Sequence, residues 1–548
     1  MAAFFPAVGN DYAMDDIRQV ARLAPPASLA DWIALPAQPW WPVDHENFVW
    51  RPLARVTIAA QRAWSGEASA PFYVFNLAVY AIVAGLLTIL ARQLGRSPLA
   101  AAATGLIFAA HPLHAEAVHQ IVGRTELLAA AFLLGGLILW IRGESGGGGR
   151  GPRARGANWW PQALCFAAAL ASKEHAVLYP AFLALLMLDA PSLRARPVAE
   201  RWRRLPALGG RTLGILAVLL LLFLGAKGAV TGGLLESGRA VPFAENPLAT
   251  RSFLERLPAV LGLFGYAAGH FVWPLGLSPD YSANSLPIDR GVSWVWTWIG
   301  FSGLVGLLVA GIRSARAGGR GWALIAAGLG AFALTSNGPF PIGVLAAERL
   351  WFWPSAAACL GVGWLMDRGL GPAPSAMRSR VSGAILAAAV LGLLAGSWHY
   401  APAWRSPYDL AHWTLNRFPD NWRSHVNLAR HYSDARQYES GRRHGRAAVR
   451  IDPRHHLSWQ AVGLNAMFLG DGSREAEDAF RRALSLDPRQ MEVHRYLANV
   501  LEMRGDGASA AGELELYLAW PGARDRAVLE ARRQRLRAAH PGPGGEPR

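Results

Sequence analysis

Asp15 and Asp16 are adjacent carboxylates just ahead of the first long apolar run of the chain. A carboxylate placed there can serve as a base at a membrane surface, its proton affinity adjusted by its neighbour; two solvated acids on a loop would read the same way. A second polar stretch, His111 to Glu126, separates the apolar runs Leu99–Ala110 and Leu127–Trp140. Ionisable groups held at the mouth of a helix pair are costly unless they face a partner, a cavity or a ligand. His111, His114, Glu116 and His119 have the residue types of a metal site. Their His-x-x-His-x-Glu spacing is loose, however, and Pro112 disturbs the helical register, so a hydrogen-bonded cluster is the preferred reading; a divalent metal is possible but not expected. Arg124 follows Gly123 and precedes Thr125, a residue able to cap the next helix. A guanidinium beside a helix N-terminus suits a phosphate, whereas a snorkelling arginine needs no ligand.

Two more charged pairs stand at the ends of apolar runs: Lys173-Glu174 and Glu348-Arg349. Each reads as a structural ion pair or as part of a site. The functional reading gains from Arg124, Lys173 and Arg349 falling on one side of the bilayer, where three cations suit an anionic lipid head such as a polyprenyl phosphate. Glu174 and Glu348, as sequence neighbours, are expected to neutralise two of them in part.

These residues must be positioned by apolar helices. Of 548 residues 52% are apolar, and 23 are Trp. Spans are expected near 71–92, 98–112, 125–141, 158–172, 175–189, 210–229, 293–312, 321–337, 344–365 and 381–399. The net charge of +16 does not indicate nucleic-acid binding, because the arginines cluster in short loops: Arg142, Arg150, Arg153 and Arg155; 190–211; Arg313, Arg316 and Arg320; Arg368, Arg378 and Arg380. The positive-inside rule makes these loops cytoplasmic. Alternation then puts 1–70, His111–Glu126, Ser172–His175, 230–292, Thr335–Arg349 and everything after residue 400 on the other face, provided that the run 257–277 is interfacial or re-entrant. Residues 1–70 hold no span and no signal peptide, and read as short surface helices rich in Trp. Lys173 and Lys227 are the only lysines, which points to a GC-rich coding sequence and a bacterial inner membrane. Cys165 and Cys359 lie in apolar runs and read as small buried hydrophobes.

Beyond Tyr400, Pro419, Pro453, Pro488 and Pro521 recur at intervals of 34, 35 and 33, with Asp452-Pro453 and Asp487-Pro488 between helix pairs. This is the period of tetratricopeptide repeats, here about three over 401–540, followed by a disordered tail at 541–548. The fold class is therefore all-α: a polytopic helical membrane domain over 71–400, then an α-solenoid.

The order of Met14-Asp15-Asp16, Arg51-Pro52-Leu53, Phe75-Asn76, His111-Pro112-Leu113-His114-Ala115-Glu116, Val122-Gly123-Arg124-Thr125-Glu126, Ser172-Lys173-Glu174-His175, Glu245-Asn246-Pro247, Leu277-Ser278-Pro279-Asp280-Tyr281-Ser282 and Ala347-Glu348-Arg349 resembles the membrane O-mannosyltransferases that carry C-terminal tetratricopeptide repeats, which belong to the GT-C class of lipid-dependent glycosyltransferases. The resemblance implies a polyprenyl-phosphate sugar donor, a protein or glycan acceptor hydroxyl outside the cytoplasm, possible recruitment of that acceptor by the repeats, and a catalytic base in the pair Asp15 and Asp16. It brings Asp280 and Tyr281 into the candidate site, with His111, His114, Glu116 and Glu174; Arg124, Lys173, Glu348 and Arg349 are the donor-binding candidates. No cofactor is implied, and no nucleic acid. The family has a span before its acidic pair, whereas only fourteen residues precede Asp15 here. That departure supports one alternative, an inactive membrane-anchored repeat scaffold; the other alternative is a transporter of lipid-linked sugars, which would share a phosphate-binding face.

Overall fold

The computed structural model describes residues 1–21, 23–41, 49–145, 159–189, 193, 196–233, 241, 243, 245–283, 285–286, 292–317, 321–371, 375–469 and 473–540. Arg150, Arg153, Arg155, Arg194 and Arg320 of the arginine loops, and the tail 541–548, lie outside the described residues. Among the described residues the regular elements are all helices and no strand occurs.

After α1 (Pro52–Ser65) the apolar runs become α2 (Ala70–Gln93), α3 (Pro98–Ala110), α4 (Arg124–Ser145), α5 (Trp160–Leu170), α6 (Tyr179–Leu188), α7 (Val198–Thr231), α8 (Phe253–Val272), α9 (Val292–Arg316), α10 (Gly321–Thr335), α11 (Phe352–Leu370) and α12 (Ala376–Tyr400). Local signals set their ends. Ser97 caps α3 by accepting from the Ala100 amide, Pro98 occupies the first turn, and the helix stops at His111 because Pro112 cannot continue it. Among the described residues five segments are long and apolar enough to cross a membrane: Ala70–Gln93, Ile121–Gly143, Gly209–Thr231, Trp294–Arg316 and Ala376–Trp404. The first two form the centre, with 50% and 78% of their apolar windows buried; in the other three only 6% is buried. Those three turn large apolar side chains outward, among them Leu221, Trp298 and Leu391. Faces of that kind need a hydrocarbon solvent, so the chain is a multi-pass membrane protein.

The run 257–277 becomes α8, which starts at a Ser252–Glu255 capping box and ends at Trp273, before Pro274. Both of its ends are tied to one end of the bundle. The Pro258 carbonyl accepts from the Thr297 hydroxyl near the start of α9, and the Phe271 carbonyl accepts from His111 Nε2 just after α3. Hydrogen bonds thus hold it to the start of α9 and to the turn after α3. It approaches α9 closely: a Cβ added at Gly265 would lie 2.1 Å from the Trp296 carbonyl oxygen. The extreme N-terminus departs from the expected surface helices. Its first turn, Ala2–Gly9, packs against α2 and α12, where Phe4 is buried against the rings of Tyr80 and His119. Its composition, Ala-Ala-Phe-Phe-Pro-Ala-Val, suits burial better than exposure.

From Tyr400 the chain runs into α13 (Pro407–Arg417) and then into helix pairs: α14 (Trp422–Asp434) with α15 (Tyr438–Ile451), α16 (His456–Ala466) with α17 (Ser473–Leu486), and α18 (Met491–Met503) with α19 (Gly507–Ala519), closed by α20 (Arg526–Ala539). Small residues let the helices approach: a Cβ at Gly445 would meet the Val462 amide nitrogen at 2.9 Å, and one at Gly463 would meet the Phe480 ring at 2.6 Å. The three pairs are the paired-helix packing expected of the tetratricopeptide period.

Candidate functional site

Met14 sits at φ 50°, in the left-handed region that few residues with a side chain adopt. The turn sends the two following carboxylates into different surroundings. Asp16 is fully buried, and its oxygens accept from the backbone amides of Ile121 and Val122, both at 2.8 Å. Burial pushes its carboxyl up to about 7 against the pull of those amides. Asp15 is half-buried and lies within electrostatic reach of Arg349 and Arg423.

The turn that receives Asp16 is built by proline and glycine. Pro112–His114 and Ile121–Gly123 are single tight turns on either side of a short helix, Ala115–His119. Gly123 packs so closely that a Cβ there would lie 2.2 Å from the Ala117 carbonyl oxygen. α4 follows without an extended capping residue, so Thr125 does not cap it; its hydroxyl donates to the Val122 carbonyl at 3.0 Å.

The histidines are committed to partners inside the bundle. His111 donates to the Phe271 carbonyl, and its Nδ1 accepts from the Leu113 amide at 3.2 Å. His114 reaches the Tyr80 hydroxyl (2.8 Å) and the Ser355 hydroxyl (2.7 Å). His119 pairs with Asn10 at 3.0 Å beneath Trp404. Among the described residues no group of three or more His, Cys, Asp or Glu side chains is arranged to hold a metal ion.

The cations fall into two places. Arg124 is fully buried, its guanidinium over the rings of Phe72 and Phe75, with Nε donating to Asn76 Oδ1 at 3.2 Å and Nη2 to Gln61; Nη1 has no hydrogen-bond partner among the described residues. Its charged neighbour is Asp16. Lys173 and Arg349 stand together elsewhere, within each other's electrostatic reach. Their counter-charges are not their sequence neighbours. Lys173 pairs with Glu126 of α4, and Arg349 pairs with Glu116, whose Oε2 also accepts the Arg349 amide at 2.9 Å. Glu174 instead receives Arg51 in a fork, at 3.1 and 2.9 Å to one oxygen. His175 Nε2 accepts from Trp353 Nε1 at 2.6 Å and lies 3.2 Å from Glu126. Arg51, Glu126 and His175 thereby join the site; His175 lies two residues from Lys173 in the chain, whereas Arg51 and Glu126 meet it only through tertiary packing.

Glu348 is fully buried, and its Oε1 accepts from the hydroxyls of Tyr400 (3.0 Å) and Tyr281 (3.2 Å). Burial and the nearby Glu116 hold its carboxyl well above the usual carboxylate range. Asp280 is also buried, and burial alone would raise it; Arg423 at 2.7 Å and the Ser282 amide at 2.7 Å bring it below its usual value. Arg423 belongs to the first repeat pair, where nothing in its sequence context signals a place at this site.

An apolar groove leads away from this cluster. It runs between α2, α4, α6, α10 and α11, is lined by Leu87, Leu90, Leu134, Leu137, Phe182, Ala327, Ala357 and Leu360, and encloses about 990 Å³ counting its open side. Trp353 and Trp364 of α11 both line it; eleven residues of helix separate them, ~16 Å at 1.5 Å per residue. Trp353 joins the groove to His175 and so to Glu126 and Lys173.

No protein-family profile matches the chain, and no solved structure matches it. Human protein O-mannosyl-transferase TMTC3 is 23% identical over 489 residues, which is 83% of this chain and 50% of the relative. Human protein O-mannosyl-transferase TMTC4 is 27% identical over 63% of this chain and 48% of its own length. The Caenorhabditis elegans protein O-mannosyl-transferase F38B6.6 is 22% identical over 64% and 45%. The chain spans about half the length of the curated relatives it matches. With membrane helices first, helical repeats after and this similarity along much of its length, the chain is a distant homologue of the TMTC protein O-mannosyl-transferases.

Proposed function

We propose that the chain transfers a hexose, mannose on the precedent of its relatives' names, from a polyprenyl-phosphate donor to an acceptor hydroxyl on the non-cytoplasmic face. The observation that carries this reading is the apolar groove that Trp353 joins, through His175, to the ion-paired group of Lys173, Arg51 and Arg349. An isoprenoid chain seated in the groove, with its phosphate towards Trp353 and His175, would bring that phosphate towards Lys173 and the neighbouring Arg51 and Arg349. Asp15 is the base: it is accessible and, among the described residues, held by no hydrogen-bonded scaffold, whereas Asp16 is occupied in holding the Ile121–Val122 turn. In the reaction the acceptor O–H bond breaks as its proton passes to the Asp15 carboxylate, and the acceptor oxygen bonds to the anomeric carbon. The bond from that carbon to the phosphate oxygen breaks with its electron pair going to the phosphate. One displacement inverts the anomeric centre. The phosphate gains charge as the bond breaks, so cations placed there stabilise the transition state more than the bound donor. The partners are thus a lipid-linked sugar and a protein or glycan acceptor.

The test is transfer of labelled hexose from a polyprenyl-phosphate donor in membranes holding the protein. Asp15→Asn lowers the rate about a hundredfold or more, the usual worth of a general base, at unchanged protein level. Wild-type membranes that transfer nothing, or an Asp15→Asn protein with normal turnover, would refute the reading.

A further inference from the structure

The loop at 278–283 is gripped from two sides, with Ser285 beside it. On the membrane side the Tyr281 hydroxyl donates to Glu348, and Glu348 is followed directly by Arg349, which pairs with Glu116. On the repeat side Asn421 Nδ2 lies within hydrogen-bonding distance of Asp280 Oδ1 (3.1 Å), Ser282 Oγ (3.0 Å) and Ser285 Oγ (2.8 Å). The Oδ1 of the same amide caps α14 by accepting from the Ser424 amide at 2.8 Å. Arg423, two residues further on, spans two acids: Nη1 is 2.7 Å from Asp280 and Nη2 is 3.3 Å from Glu245. Trp413 of α13 adds a bond from its indole nitrogen to the Leu277 carbonyl at 3.2 Å. Asn421 and Asp280 are both buried. Buried polar networks of this kind specify one arrangement, because each member left unmatched costs its full desolvation. A module that served only to fetch an acceptor would not need its helix cap inside the membrane domain.

We propose that the first repeat helix is a working part of the transfer centre, with Asn421 and Arg423 acting as positioning residues that fix the Asp280–Ser282 loop and, through Tyr281 and Glu348, hold Arg349 in its place. This rests on the glycosyl-transfer function proposed for the chain. The path is contiguous: Asn421 and Arg423 hold Asp280, the adjacent Tyr281 holds Glu348, and Arg349 follows Glu348 with its amide fixed by Glu116. A displaced Arg349 would meet the leaving phosphate at the wrong distance, which costs rate more than affinity.

The experiment compares purified full-length protein in lipid with polyprenyl-phosphate hexose as donor. Asn421→Ala and Arg423→Ala are expected to lower kcat about tenfold or more, with donor KM changed less than about threefold. Arg423→Lys, which keeps the charge but not the two-pronged contact, recovers part of the loss. Combining Arg423→Ala with Arg349→Lys costs less than the product of the two single losses, because both act on one arginine. Arg481→Ala, in an exposed pair with Glu477 on α17, is unchanged. If Asn421→Ala does not fold, the Arg423 series decides alone. Normal turnover in folded Arg423→Ala, or fully multiplicative losses with Arg349→Lys, would overturn this inference and leave the functional reading standing. A wild type that transfers nothing would remove both.

Discussion

Asp16 holds the turn of its own site through two backbone amides, and its burial gives the protein a pH dependence of its own. With the folded carboxyl at about 7 and an unfolded one near ~3.9, the folded state binds the extra proton between those values. Stability from this group is therefore full below pH ~4, falls as pH rises towards about 7, and is level above that. The decline amounts to a few kcal/mol at most, on the order of 1.4 kcal/mol for each pH unit crossed between the unfolded and folded values. Unfolding midpoints of detergent-purified protein across this range are expected to show the decline, and Asp16→Asn to flatten it; an equal slope in the variant would clear Asp16 of the effect. The substitution also places an NH₂ group against amide donors, so Asp16→Asn should lose yield where Asp15→Asn loses only rate. Arg124 belongs to the same framework, since its guanidinium is enclosed by Phe72, Phe75, Asn76 and Gln61.

At the scale of elements, the turns around the short helix Ala115–His119 decide where the site's amides and carboxylates stand. Gly123→Ala would drive its Cβ into the Ala117 carbonyl, and only backbone movement could relieve the clash. We expect a loss of about 1–3 kcal/mol, the common cost of overpacking, together with loss of transfer as Ile121 and Val122 leave Asp16. Gly135→Ala in α4 has open space at its Cβ and should be neutral; equal melting temperatures for the two variants would show that the turn tolerates the change. The groove gives a second element-scale expectation. Ala327→Trp on α10 fills space lined by Leu360 and Phe182, and should raise the donor KM about tenfold, some 1.4 kcal/mol of lost apolar contact, with the acceptor KM unchanged. An effect on the acceptor alone would place the isoprenoid chain elsewhere.

For the molecule as a whole, the arrangement gathers the first residues, the loops after α3, α5, α8 and α10, and the first repeat at one end of the helix bundle. Arg96 and Asp367 pair near the ends of α2 and α11, beside the opposite end of the groove. By the positive-inside rule the face that carries Arg142, Arg313 and Arg368 is expected to be cytoplasmic, and the candidate site and the repeats to face outward. Reporter fusions within the loop after α4 should be active only in the cytoplasm, and fusions after residue 540 only beyond the membrane. The reverse pattern would invert the topology and with it the side on which the acceptor is met.

What the sequence determined by itself was everything carried by period and composition. Apolar runs gave the helices, since a 20-residue stretch without charge has few other solutions in lipid. The prolines at Pro419, Pro453 and Pro488 gave the repeats, and the order of short polar motifs gave the family resemblance. The turn residues Pro112 and Gly123 could also be read locally. Partnership could not. Lys173 and Glu174 are neighbours in the chain yet serve different partners, Glu126 and Arg51, because consecutive side chains leave an extended or tightly turned backbone in different directions. The same holds for Glu348, taken by two tyrosines, and Arg349, taken by Glu116. The division between a buried Asp16 and an accessible Asp15 depends on the left-handed turn at Met14 and on amides more than a hundred residues away. Arg423 carried no signal in its own repeat, where one arginine among many reads as surface charge; only the docking of α14 onto Asp280 and Glu245 gave it a place beside the site. Burial and pairing are properties of contacts distant in sequence, and those exist only once the chain has closed on itself.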